Sequence, residues 1–466
     1  MKLFQSLLLR AGFSKPASKN SSHKASRKPW AVISLLFAMA LTAEANQGSL
    51  FEASVAEGSD FQAVEPYAKW SERGRLVSYK YLRTLSKRDI RRALFDLPFL
   101  DSYAGFGLED FFDFYTYSEI REVTKYRVDV YQVIYETIDP WGVPTTASGA
   151  VLVPKGSRWH PLPTPALLSL QRGTVFYDAD APSHGNMPDW GIWRGLLPAS
   201  AGYVTAMPDF LGFGAAKHMV HTYAVADASA RATVDMMRAV RKLAETLDWP
   251  LREEVFLAGL SQGGRVTLAT QREIEAYHAD EFQLTATAPA AGAYFLSAVA
   301  QSLFASDTLI APQITSLLIL AYNEVYVQRP LSYYFQSPYD EIVLSLHDKS
   351  KTNAEVIAGL PTGATNTLYT DEFLDSFRGN GEQKLKAALA SNDLHTGWQP
   401  VTPIRFFNGE LDSIVPPIQA RAAVAGLTSD KLTPELVIIE GSEHLQSIVP
   451  STLQTIEWFD QILAEQ

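Results

Sequence analysis

From residue 126 onward, hydrophobic and polar positions alternate at two rhythms. Arg127-Val-Asp-Val-Tyr-Gln-Val-Ile-Tyr-Glu-Thr-Ile138 repeats with period two and is rich in β-formers. A turn at Pro140-Trp-Gly142 follows, and Thr146 to Pro154 reads as the returning strand of a hairpin. Beyond the hairpin the chain alternates short apolar runs with helical spacing. The runs are Ala166–Leu170, Tyr203–Met207, Val255–Ala258, Leu284–Ala288, Ile404–Phe407 and Leu436–Ile439. Ala224 to Leu247 and Arg265 to Tyr277 carry apolar residues at helical spacing, three and four apart. Fully apolar short strands separated by helices predict a mostly parallel central sheet covered by helices on both faces.

Two regions break this rhythm. Residues 295–398 hold apolar helical patterns at Ala298 to Phe304 and Ile314 to Tyr326, and a tyrosine pair at Tyr333 and Tyr334. The stretch is too long for an ordinary connection and predicts a helical cap inserted between strands. Residues 46–125 carry little periodicity and read as an N-terminal extension packing on the core. Within them Ser86-Lys-Arg-Asp89 resembles a capping box opening a helix through Phe95, and the aromatic, acidic run Leu108 to Tyr117 reads as packing surface. The expected organisation is a leader over 1–45, the extension over 46–125, a core over 126–294 and 399–466, and the cap over 295–398.

The leader changes the charge picture. Residues 1–45 carry seven basic residues against Glu44, so residues 46–466 hold a net charge of −17 against −11 for the whole chain. A body this acidic argues against nucleic acid or an anionic membrane surface as partner. After Arg27-Lys28 comes an apolar run from Trp30 to Leu41, then Ala43-Glu-Ala45. Basic, apolar and small-residue segments in that order predict a secretory signal peptide cleaved after Ala45, a secreted or periplasmic protein, and no stable membrane span after cleavage. The chain of 466 residues has no cysteine, which excludes disulfides, a thiol nucleophile and Cys-ligated metal.

The chemistry concentrates where strand Val255–Ala258 runs into Gly259-Leu-Ser261-Gln-Gly263-Gly264. Gly-x-Ser-x-Gly between a strand and a helix is a nucleophile elbow. A serine hydroxyl needs a base. Among nine histidines, His444 alone follows an apolar strand by a short loop and precedes a final helix. The acid is expected between serine and histidine, and Asp412 in Asn408-Gly-Glu-Leu-Asp412-Ser-Ile-Val-Pro416 fits, with Glu410 and Glu443 as runners-up. An oxyanion site needs two donors. The Gln262 amide is one candidate. The Thr174 amide, with Gly173 permitting close approach, is the other. Arg172 beside them reads as a loop-pinning side chain. His218 and His221 lie three apart, but no third ligand is evident, so no metal is expected, and the mechanism requires no cofactor.

Tyr131-Gln-Val-Ile-Tyr135, Gly149 to Pro154, Pro208-Asp-Phe-Leu-Gly-Phe-Gly214 and the Ser261 and Asp412 motifs together resemble the α/β-hydrolase superfamily. Within it they resemble the secretory lipases and related bacterial esterases. The resemblance covers roughly residues 126–466 and departs at Arg172, where many relatives carry His-Gly, at residues 46–125 and throughout the cap, so the family's substrate does not transfer. It implies an α/β-hydrolase fold with a cap insertion, and hydrolysis of small-molecule or lipid carboxylic esters through an acyl-enzyme on Ser261, His444 and Asp412. An exported serine peptidase using the same triad, and a catalytically silent binding protein on the same scaffold, remain alternatives. Oligomeric state, acyl length and alcohol are not legible.

Overall fold

A computed structural model describes residues 72–95, 117–186 and 190–465. The leader and the aromatic segment 108–116 lie outside the described residues. The elements run β1 (Leu76–Leu85), α1 (Lys87–Phe95), α2 (Tyr117–Val123), β2 (Arg127–Ile138), β3 (Pro144–Lys155), β4 (Leu167–Gln171), α3 (Trp190–Ala201), β5 (Val204–Pro208), α4 (Ala226–Thr246), β6 (Glu254–Leu260), α5 (Gln262–Tyr277) and β7 (Gln283–Ala290). An insertion follows, with α6 (Leu296–Ala305), α7 (Pro312–Tyr322), α8 (Leu331–Tyr334), α9 (Tyr339–Leu346), α10 (Asn353–Ala358), α11 (Asp371–Arg378) and α12 (Gln383–Ser391). The chain closes with β8 (Arg405–Gly409), α13 (Ile418–Leu427), β9 (Glu435–Ile439) and α14 (Ile448–Ala464).

The strands form one sheet in the order β1-β2-β3-β5-β4-β6-β7-β8-β9. β1, β2, β3 and β5 pair antiparallel, and from β5 through β9 all pairs are parallel. Every residue of β4, β5 and β6 is buried, as continuous apolar runs covered on both faces require. One apolar cluster on the first face joins α4 to β2, β3 and the inserted helices. A second, on the opposite face, joins α1, α3 and α14 to the sheet. The mostly parallel, helix-covered sheet is what the strand–helix rhythm predicts, and the architecture is the α/β-hydrolase fold that the resemblance implies.

The boundary expected at residue 126 has no counterpart in the sheet. β1 pairs with β2 along its length, so residues 76–85 are the first strand of the core rather than an appended layer. Its side chains are mostly exposed, which erased the period-two signal. The capping box is present at α1. The Asp89 N–H donates to Ser86 Oγ at 3.2 Å and the Ser86 N–H to Asp89 Oδ2 at 3.0 Å. The sequence pattern does not predict α2 or α3. α3 carries Pro198 within it and sits in the second cluster through Ile192, Trp193, Leu196 and Leu197.

Candidate active site

β6 is the sixth strand of the sheet order, and its carboxyl end delivers Ser261 into the turn that opens α5. The turn is forced. Ser261 adopts φ 61° and ψ −123°, a conformation costly for a residue with a Cβ, and its N–H donates to the Ala290 carbonyl at 2.9 Å. The helix can start so abruptly only because Gly263 lacks a side chain. A Cβ there would stand 2.1 Å from the Gln171 carbonyl oxygen, and one on Gly259 2.5 Å from that of Gly263. The two glycines of the motif thus let α5 press against β4 and β6.

The loops after β8 and β9 meet beside this turn. Asp412, buried, accepts the Ile414 and Val415 N–H groups on Oδ1 at 3.0 and 2.8 Å. Its Oδ2 accepts from His444 Nδ1 at 2.7 Å. A carboxylate can only accept, so the His444 proton sits on Nδ1 and leaves Nε2 with its lone pair. Leu411 N–H donates to the Ser442 carbonyl at 3.0 Å, tying the two loops together. The runner-up acids are engaged elsewhere. Glu410 accepts from the Gly441 N–H at 2.8 Å, and Glu443 from the Ser413 N–H and hydroxyl at 3.2 and 3.0 Å.

Ser261, Gln262, His444, Gly173 and Thr174 all line one cavity of about 290 Å³. Gln262 is the first residue of α5, so its N–H has no acceptor within the helix. The Thr174 hydroxyl lies 3.2 Å from the Tyr223 hydroxyl. Gly173 is not demanded by packing, since a Cβ there would meet only the Leu260 carbonyl oxygen, at 3.8 Å. A side chain at 173 would occupy cavity space instead. The wall opposite the strand ends comes from the insertion: Leu296, Val299 and Leu303 on one face of α6, Ile314 and Leu318 on α7.

Arg172 pins its loop. Nε and Nη2 donate to the Asp209 carbonyl at 3.0 and 2.6 Å, Nη1 donates to the Gly173 carbonyl at 2.9 Å, and the guanidinium lies over Phe210 and Phe213. Burial lowers its pKa to about 10, so it remains charged at neutral pH.

In the sequence His221 stands out only as half of a weak metal pair with His218. His218 is exposed and His221 buried, and among the described residues no group of three or more His, Asp or Glu could hold a metal ion. Instead, His221 Nδ1–H donates to the Leu211 carbonyl at 2.7 Å, and Nε2 accepts from Gln262 Nε2 at 3.0 Å. Both ring nitrogens are thus committed. Burial pushes the His221 pKa down to about 3, so the ring is neutral. No sequence pattern links positions 221 and 262, which only the fold brings together.

Among the described residues no helix is long and apolar enough to cross a membrane. No curated protein matches the chain. Among solved structures, the rice cell wall degrading esterase LipA from Xanthomonas oryzae superposes with a TM-score of 0.68 at 26% identity, covering 84% of this chain and 99% of that one. Candida antarctica lipase A in its closed state superposes with a TM-score of 0.57 at 17% identity, over 82% and 83%. That second likeness concerns the fold alone. The secretory lipase pattern matches residues 195–466, which include Ser261, Asp412 and His444, and the chain belongs to the secretory lipase family.

Proposed function

We propose that the protein is an exported serine hydrolase that cleaves carboxylic esters through an acyl-enzyme. The observation that carries this reading is the buried Asp412–His444 hydrogen bond, 2.7 Å long, opening on the same cavity as a serine held at positive φ. In this mechanism Ser261 Oγ attacks the ester carbonyl while His444 Nε2 takes its proton. Asp412 holds the ring and balances the imidazolium charge that forms. The Gln262 and Thr174 N–H groups receive the developing oxyanion, with Gly173 leaving room for the acyl group. His444 then returns the proton to the leaving alcohol, and water releases the acid by the same route.

The apolar wall from α6 and α7 supports residues 295–398 as a cap over an acyl pocket. The basic–apolar–Ala-x-Ala order of residues 1–45, together with membership of the secretory lipase family, supports export and cleavage after Ala45.

The test is hydrolysis of p-nitrophenyl esters from acetate to palmitate by protein purified after expression of the full chain, beside Ser261→Ala. We expect activity in the parent and a loss of roughly 10³-fold or more in the variant, with a chain-length optimum that sizes the pocket. A folded parent inactive on every ester, or a variant as active as the parent, overturns the proposal.

A further inference from the structure

Helix α3 turns an arginine inward. Arg194 is 7% exposed and borders two spaces at once. It lines the cavity that holds Ser261 and His444, and it walls a smaller chamber behind the sheet with Pro198, Gly259 and Thr455. Its Nε and Nη1 are buried with no hydrogen-bond partner among the described residues. The other arginines on this cavity are held by carbonyls, although Arg265 Nε is also without a partner among the described residues. Arg172 donates to the Asp209 and Gly173 carbonyls. Arg265 donates to the carbonyls of Ala293, Ala224 and Asn392.

Nor, among the described residues, does a carboxylate neutralise Arg194. Asp180 lines the same cavity, but it, Asp178 and Asp209 bear on Arg172. Burial lowers the Arg194 pKa to about 10, leaving it a cation at neutral pH. A buried, unpaired guanidinium opposes folding. Groups that work against stability are retained where function uses them.

We infer that Arg194 receives a carboxylate carried by the substrate, so that the preferred esters bear an anionic group apart from the scissile bond. The planar fork of a guanidinium matches a carboxylate with two parallel hydrogen bonds, and one cation balances one such charge. The rest of the cavity wall is largely apolar, through Leu296, Val299, Leu303 and Leu318. The substrate class that fits both features is an amphiphilic ester with a hydrocarbon stretch and a free carboxylate. This inference rests on the ester-hydrolase reading above.

Two sets of paired esters test it. The first places charge on the acyl side: 4-nitrophenyl monoesters of α,ω-dicarboxylic acids of increasing length, each beside its ω-methyl ester. The second places charge on the alcohol side: 4-acetoxybenzoate beside its methyl ester. In the parent protein, kcat/KM for the best charged member should exceed that of its neutral twin by roughly tenfold or more. The set that shows the preference identifies the side on which the carboxylate lies. Arg194→Gln and Arg194→Met should bring that ratio to one or below, and Arg194→Lys should keep part of it. Arg194→Met should also melt no lower than the parent, because it removes an unpaired buried charge, whereas a structural arginine would be missed.

Neutral twins preferred by the parent in both sets, or a ratio unchanged in Arg194→Gln, overturns the inference. Should the neutral variants fail to fold, the parent's ratio and that of Arg194→Lys decide. Should no ester of either kind be hydrolysed, the hydrolase reading fails separately. Calorimetric binding of suberate to the parent and to Arg194→Lys then decides this one: binding supports it, and no binding overturns it.

Discussion

Gln262 lines the cavity while its side chain donates to His221, so a neutral imidazole steadies the residue beside Ser261. That arrangement has a pH signature. The His221 pKa lies near 3 in the folded protein, because burial disfavours the charged ring, against about 6.5 in the unfolded chain. Between those values the unfolded state binds more protons. Stability therefore rises with pH through the window, is fully present above about 6.5, and is lost as pH falls towards 3. The slope is at most about 1.4 kcal/mol per pH unit for one such group. His347, lowered by burial to about 4 and bonded to Ser316 Oγ at 2.8 Å, adds a second group with the same sign. Urea midpoints measured from pH 7 to pH 4 should fall steeply, and His221→Gln should flatten the profile while leaving the His347 part. An equal slope in the variant would remove His221 from this role. The sequence could not supply this contact. A search for a base looks for histidine after a strand end, and His221 lies in a loop 41 positions from its partner.

Among the secondary-structure elements, legibility followed burial. The fully buried strands β4, β5 and β6 stood out as apolar runs, whereas β1, exposed along most of its length, carried no pattern to read. α3 was hidden by Pro198 and by apolar residues spread around its circumference. The Ser261, Asp412 and His444 motifs are readable because each sits where a strand ends, and chain order alone suggests the roles proposed for them. What no local pattern could show is how α5 holds the insertion. Arg265, one turn past Ser261, donates to the carbonyls of Ala293 and Asn392, which flank the inserted helices α6 to α12, and to that of Ala224. Asn392 Oδ1 in turn accepts the Ala226 N–H at the start of α4. Arg265→Met would strand the Asn392 and Ala293 carbonyls and leave that of Ala224 to the Tyr322 hydroxyl, and should lower stability by about 2 kcal/mol or more. Because α5 also carries Gln262, esterase activity should fall with it. Urea unfolding measures the first effect, and hydrogen exchange at residues 291–300 and 388–396 should rise. Unchanged exchange at both ends would show that the arginine does not fasten the insertion.

At the scale of the whole molecule, the question is whether a chain this long carries one core or several. Domains above about 250–300 residues usually divide. Here the first apolar cluster runs without interruption from Tyr131 and Val151 on the sheet, through Met236 and Val240 of α4, to Phe304, Leu317, Phe373 and Leu389 of the insertion. The inserted helices thus share their hydrophobic core with the sheet rather than resting on it across a polar seam. Separating them would expose apolar surface on both sides, at roughly 25 cal/mol per Å². The insertion and the sheet should therefore unfold together. Scanning calorimetry of the purified protein should give a single transition whose van't Hoff and calorimetric enthalpies agree. Residues 295–398 expressed alone should remain unfolded. Two resolved transitions, or a folded isolated insertion, would mean that the continuous cluster does not couple the two parts. The same continuity bears on catalysis. An insertion that shares its hydrophobic core with the sheet in this way should not swing away as a separate body, so substrate entry under the proposed function should need only local movement at the cavity wall.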